Sequence, residues 1–201
     1  MARRSDHSRA DLEALIVAEA HRHMAEVGYA RFSAREVAKR IGYSVGTLYN
    51  VWGTLDRLLL AVNARTLAVW ADALEAALAD APAGARIEAL VRAYFRFAAA
   101  NRNAWSALYD FRSAAGTDLP SDYVAAYGRL IGLVDVEVAA ALPPERQPDA
   151  ARLARSLLAA VHGHCTFALD GTFALLGIDD AVEQALHRVR EALAAADEPR
   201  A

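Results

Sequence analysis

Apolar residues recur at intervals of three and four along most of the chain, and no segment alternates apolar with polar as a half-buried strand does. Leu12, Ile16, Ala20, Met24 and Val27 make one such stripe, and Gly28 supplies a left-handed stop, so a first helix is expected over Ser8 to Val27. Ser33 followed by Glu36 matches a capping box, in which the hydroxyl accepts from the Glu36 N–H and the carboxylate reaches back. That predicts a short helix ending near Ile41. Gly42 and Tyr43 then turn the chain, Ser44 caps a helix of about two turns from Val45 to Val51, and Trp52-Gly53 breaks it. Two short helices joined by a tight turn containing Gly form a helix-turn-helix pattern.

Thr54 can cap a long helix through Leu55, Leu58, Leu59, Val62, Thr66, Val69, Ala73 and Leu78, which ends ahead of Pro82 and Gly84. Further helices are expected over Arg86 to Ala100, Asn103 to Arg112, the stripe from Tyr123 to Val138, Asp149 to Leu169 and Asp179 to Ala195. The Gly116 to Pro120 segment reads as a loop, and Pro143, Pro144 and Pro148 mark a linker. The expectation is an all-α protein of about nine helices. Its domain boundary falls inside the long helix near Asn63: residues 1–63 form a three-helix module with a disordered tail over Met1 to His7, and residues 64–201 form a second helical domain.

Composition narrows this picture. The hydrophobic share of 55% suffices for a sizeable core in 201 residues. No apolar run reaches the roughly 18 residues of a membrane span, and the first residues lack the apolar segment of a signal peptide, which predicts a soluble cytoplasmic protein. A single cysteine, Cys165, cannot form an internal disulfide. The net charge of -3 is unevenly spread, with a small positive balance before Leu67 and a negative one after it. Mild basicity alone is a weak sign of nucleic-acid binding.

The helix-turn-helix carries the stronger sign. With Leu48 and Val51 facing inward, Ser44, Val45, Gly46, Thr47, Tyr49 and Asn50 lie on or near the open side of a short helix, whose N-terminus can approach phosphate and the major groove. Small and hydroxylated residues allow close backbone approach, and an Asn amide can pair with adenine. The run GYARFSAREVAKRIGYSVGTLYNVWGTLDRLLLAV resembles the N-terminal signature of the TetR (tetracycline repressor) family, through Gly28-Tyr29, Ser33, Val37-Ala38, Gly42, Ser44, Gly46-Thr47-Leu48-Tyr49 and Leu58-Leu59. The resemblance implies phosphate contacts from Ser33, Ser44, Thr47, Tyr49 and Thr54, with Val45, Gly46 and Asn50 near base edges. Arg35 joins these as a candidate DNA contact, and Arg3, Arg4, Arg9 and Arg40 are further cations at hand. Family members often carry a basic residue where this chain has Val45 and a lysine where it has Leu55, which removes two customary contacts. The three hydroxyl residues Ser33, Ser44 and Thr54 would serve as helix caps in any helical protein, and both roles can coexist.

Beyond Asn63 there is no nucleophile–base pair, phosphate loop or set of metal ligands with workable spacing. His162, His164 and Cys165 lie together, but two ligands on one helix face are too few for a metal site. No catalytic residue, cofactor or metal is expected. The segment around His162-Gly163 resembles the helix of a TetR C-terminal subgroup called WHG, which implies a ligand-binding and dimerisation domain. Leu153, Leu157 and Val161 on one helix and Val182, Leu186, Val189 and Leu193 on the next form stripes suited to a homodimer seam, or to a core within one protomer. Candidates for an effector pocket are Trp70, Tyr94, Phe97, Trp105, Tyr109, Tyr127, His162 and Phe167, each equally able to be core.

Together these features predict a homodimeric regulator that binds double-stranded operator DNA and responds to a small, largely apolar effector, with repression favoured over activation. An enzyme lacks its chemistry in this sequence. An architectural DNA binder would not need the aromatic helices beyond residue 63.

Overall fold

The computed structural model describes residues 8–113 and 118–197; the expected tail over Met1 to His7, with Arg3 and Arg4, and the start of the Gly116 to Pro120 loop lie outside them. Ten α-helices and no strand occur among the described residues: α1 (Arg9–Val27), α2 (Ala34–Arg40), α3 (Val45–Trp52), α4 (Leu55–Ala79), α5 (Arg86–Ala100), α6 (Arg102–Asp110), α7 (Ser121–Ala140), α8 (Ala150–Leu169), α9 (Thr172–Leu175) and α10 (Ala181–Asp197). The all-α expectation holds. Short 3₁₀ turns over Tyr29–Arg31 and Pro144–Asp149, and the single turn of α9, are additions that apolar periodicity does not signal because each is too short to repeat the stripe over successive turns.

The chain forms two compact units. The first holds residues up to Val69 together with Asn101–Tyr127, and the second holds Trp70–Ala100 with the residues from Gly128 onward. Helices α4 and α7 each run from one unit into the other.

In the first unit, Ile16, Ala20 and Met24 of α1, Val37 and Ala38 of α2, Leu48 of α3 and Leu58, Leu59 and Val62 of α4 share one buried cluster. Burying each larger aliphatic side chain contributes roughly 1.5–3 kcal/mol, which is what a two-turn helix such as α3 requires to persist. Ala107 and Phe111, at and just beyond the end of α6, belong to the same cluster, with the Phe111 ring 6.1 Å from Tyr29. The Asn103 amide adds a polar clasp, donating to the Ala25 and Glu26 carbonyls at 2.8 and 3.2 Å and so capping the open end of α1.

Polar caps start the helices as expected, with one difference. Ser33 accepts from the Glu36 N–H at 3.3 Å, but the Glu36 carboxylate turns to Arg40 and Lys39 instead of reaching back. The reciprocal box occurs at Ser8 and Asp11. Thr54 accepts from the Arg57 N–H at 3.2 Å at the head of α4.

The second unit packs α5, α8 and α10 together, and α7 is tied in through one buried carboxylate. Glu137 of α7 receives a two-pronged bond from Arg86 at 2.8 and 2.6 Å, while the same guanidinium donates to the Leu78 carbonyl at 2.9 Å. One arginine thereby fastens the end of α4, the start of α5 and the last turn of α7. No helix among the described residues is long and apolar enough to cross a membrane.

Candidate functional site

The helix-turn-helix is built from α2, α3 and the turn between them. Gly42 has φ +76°, a left-handed conformation that side-chain-bearing residues avoid, and the Tyr43 N–H returns to the Ala38 carbonyl at 2.9 Å. Ser44 then caps α3: its Oγ accepts from the Thr47 N–H at 3.1 Å and lies 3.0 Å from the Thr47 hydroxyl. Gly53, at φ +75°, ends the helix, with its N–H on the Tyr49 carbonyl.

On this frame Leu48 is 2% exposed, whereas Ser44, Gly46, Tyr49, Asn50 and Thr54 are open to solvent, Tyr49 at 44%. Thr47 is half-buried beneath the Ser44 hydroxyl. Gly46 is informative because nothing among the described residues demands a glycine there. A Cβ would meet only Ser44 Oγ, at an ordinary 3.5 Å, and the backbone is helical. The open space suits close approach by something outside the chain.

Val45 and Leu55 pack half-buried against the cluster around Leu48, as does Val51. The two positions without the customary basic residues are thus held by the core. Among the candidate cations, Arg40 faces the protein: its guanidinium bonds Glu26 at 2.6 Å, Glu36 at 3.4 Å and Glu19 at 3.4 Å. Glu19 is only 4% exposed and also meets Arg22, so this network fastens α2 to α1 and leaves Arg40 little charge to offer a phosphate. The Arg40 bond holds the Glu26 carboxyl below its usual pKa range. Arg9 pairs with Glu13. Arg35 is exposed, with no ion pair among the described residues. Ser33 and Arg35 sit at the head of α2, where Arg35 joins the open residues of α3 as exposed polar surface.

His23, on the buried side of α1, lies 5.5 Å from the Phe32 ring, and neither of its ring nitrogens has a hydrogen-bond partner among the described residues. Burial lowers its pKa, with Arg40 adding to the effect against the opposing charges of Glu26 and Glu36.

The aromatic candidates divide between the units. Trp105 and Tyr109 stand 5.3 Å apart on α6 in the first unit, Trp105 buried, and Tyr127 is half exposed on α7. In the second unit Trp70 stacks on Phe97 at 5.3 Å and stands edge-on to Tyr94 at 4.8 Å. The Tyr94 hydroxyl lies 2.9 Å from His162 Nδ1, and burial keeps the His162 pKa below its ordinary value. Phe167, near the end of α8, is largely exposed and meets Phe173 edge-on. His164 bonds the Ala160 carbonyl, and no group of three or more metal ligands occurs among the described residues.

Beside this cluster lies a cavity of about 50 Å³. Its walls are Leu74 of α4, Ile87, Leu90, Val91 and Tyr94 of α5, and Val134 and Val138 of α7. Leu157, Leu158 and Val161 of α8 and Val189 of α10 close it. Of the aromatic candidates, Tyr94 alone is in that wall. Leu157, Val161 and Val189, together with Leu186, are buried within the protomer, while Leu153, Val182 and Leu193 are half-buried. Amphipathic spacing shows that a helix face is covered and not what covers it, which is why the cavity walls were hidden among the seam candidates.

Residues 16–62 match the family model described as bacterial regulatory proteins of the tetR family, and residues 87–193 match that of the tetracyclin repressor-like C-terminal domain. The second match supports that domain and not the narrower WHG resemblance. No curated protein matches the chain. A protein of unknown function from Rhodococcus sp. RHA1 superposes with a TM-score of 0.74 at 25% identity, over 98% of this chain and 100% of that one. A possible TetR family transcriptional regulator from Streptomyces coelicolor A3(2) superposes with a TM-score of 0.60 at 20% identity, over 91% and 97% of the two chains, and so shares the fold. With both halves of its length matched and an open-faced helix-turn-helix in place, the chain belongs to the TetR family and is a DNA-binding transcriptional regulator, not an enzyme.

Proposed function

We propose that the protein works in the cytoplasm as a homodimer that represses transcription from a palindromic operator, and leaves it when a small, largely apolar effector enters the C-terminal domain. The functional boundary in this scheme lies near Asn63. Ser33, Ser44, Thr47, Tyr49 and Thr54 hold phosphates, Arg35 adds charge, and Val45, Gly46 and Asn50 approach base edges. The seam between protomers runs along α8 and α10, where Leu153, Val182 and Leu193 keep accessible area.

The observation that carries the release mechanism is the continuity of α4. Two residues separate its start from the end of α3, and it runs without interruption to Ala79, bringing Leu74 to the cavity wall. An effector that fits the cavity better in one position of Leu74 than another shifts the helix that follows the reader, and only such a difference in affinity can shift the equilibrium.

Footprinting of the full-length protein on the DNA flanking its own gene tests this. The expected result is protection of two half-sites whose centres lie about one helical turn apart, roughly 34–36 Å. A single protected half-site with monomeric stoichiometry would overturn the dimer, and protection that no apolar compound relieves would overturn the release mechanism.

A further inference from the structure

We infer that the effector is an uncharged hydrocarbon-like molecule, with no carboxylate, phosphate or ammonium group; this rests on the proposed role of the second unit as the effector domain. Among the described residues the cavity wall is aliphatic except for Tyr94, and no charged, amide or aliphatic-hydroxyl side chain of these lines it. Tyr94 directs its hydroxyl to His162 Nδ1 at 2.9 Å, so the one polar group in the wall already has a partner. Burial behind it lowers the His162 pKa, which disfavours the imidazolium that an anionic ligand would need.

The charges nearest along the chain are also spent. Arg86 precedes the wall residue Ile87 and Glu137 precedes Val138, yet these two satisfy each other through two bonds, and the arginine's remaining arm holds the Leu78 carbonyl. A charged ligand would enter a site with no counter-ion, at a desolvation cost that pairing could not offset. A hydrocarbon leaves nothing unsatisfied.

Size adds a second condition. The cavity holds about 50 Å³, against the roughly 150 Å³ in which an aliphatic cavity takes up benzene. A ring-sized ligand therefore has to part the helices as it enters. Leu74 stands in that wall, so the volume mismatch supplies the conformational discrimination that release from DNA requires.

The test uses the full chain and three probes of one shape: toluene, benzoate and benzylammonium. Binding is followed by calorimetry, with operator affinity measured in parallel. Toluene is expected to bind saturably and both charged analogues on the order of 100-fold more weakly. Val161→Phe, which fills the cavity, should weaken toluene by about tenfold or more. If that variant does not fold, the milder Val91→Ile/Val161→Ile pair must weaken it in the same direction, and Leu90→Ala, which enlarges the space, must strengthen it.

A charged analogue binding as tightly as toluene, no toluene binding at all, or toluene binding untouched by filling and enlarging would each overturn the inference. Toluene bound in the cavity with operator affinity unchanged would support the ligand class and instead refute the release mechanism. The two failures are therefore distinguishable.

Discussion

Replacing Gly46 by alanine should move stability and DNA affinity in opposite directions. Gly46 is the second residue of α3, in helical conformation, and an added Cβ would make one ordinary contact, 3.5 Å from Ser44 Oγ. Alanine in a helix interior is more stable than glycine by about 1 kcal/mol, and in a first turn about half of that is expected, ~0.5 kcal/mol. The midpoint of urea denaturation should therefore rise slightly with an unchanged slope. If the head of α3 lies against DNA, the same methyl stands where the backbone must come close, and operator affinity measured by fluorescence anisotropy should fall about tenfold or more, equivalent to roughly 1.4 kcal/mol. A variant that is more stable and binds operator as tightly as before would refute the assignment of Gly46 to the interface. A loss of stability would refute the packing argument.

Leu48→Ala should destabilise the first unit by about 2–5 kcal/mol, since the side chain is fully buried at the centre of its cluster; a cost below 1 kcal/mol in chemical denaturation would show that α3 does not depend on this core. His23 has a folded pKa below its unfolded value, so the folded state takes up fewer protons, and stability should fall as pH drops below about 6.5 towards the folded pKa. In His23→Leu the melting temperature should vary less between pH 7.5 and 5.5, with a residual slope from His21 and His162, whose pKa values are also lowered; an unaltered slope would remove His23 from the account. The Cys165 thiol is fully buried and pushed up to about 12, so a thiol reagent at pH 8 should label it only after unfolding. Rapid labelling of the native protein would contradict that burial.

Much of this was legible in the sequence wherever the signal is local. The stripe through Ile87, Leu90, Val91 and Tyr94 gave α5 its bounds, and Ser33, Ser44 and Thr54 marked helix starts that prove to be side-chain caps. Competition between partners was not legible. Glu36 had Arg40 within reach on the next turn and took it, while Asp11, shorter than the usual Glu or Gln, completed the box with Ser8.

Long-range pairing was hidden for a different reason. The periodicity of α6 says that one face is covered, but nothing in it says that Ala107 and Phe111 join the cluster around Leu48. Leu157, Val161 and Val189 are likewise apolar at helical spacing whether they meet another protomer or the walls of a cavity. The open side of α3 was legible because a motif carried it. The inward turn of Arg40 was not, since a formal charge does not show which way a guanidinium points.

The central claim is sequence-specific DNA recognition by the open face of α3. The most direct test measures, at several salt concentrations, the full-length protein's affinity for the DNA flanking its own gene against unrelated DNA of equal length. The account predicts a preference of about 10³ or more for the flanking site at physiological salt, with both affinities falling as salt rises. Equal affinity for the two DNAs across the salt range would contradict it.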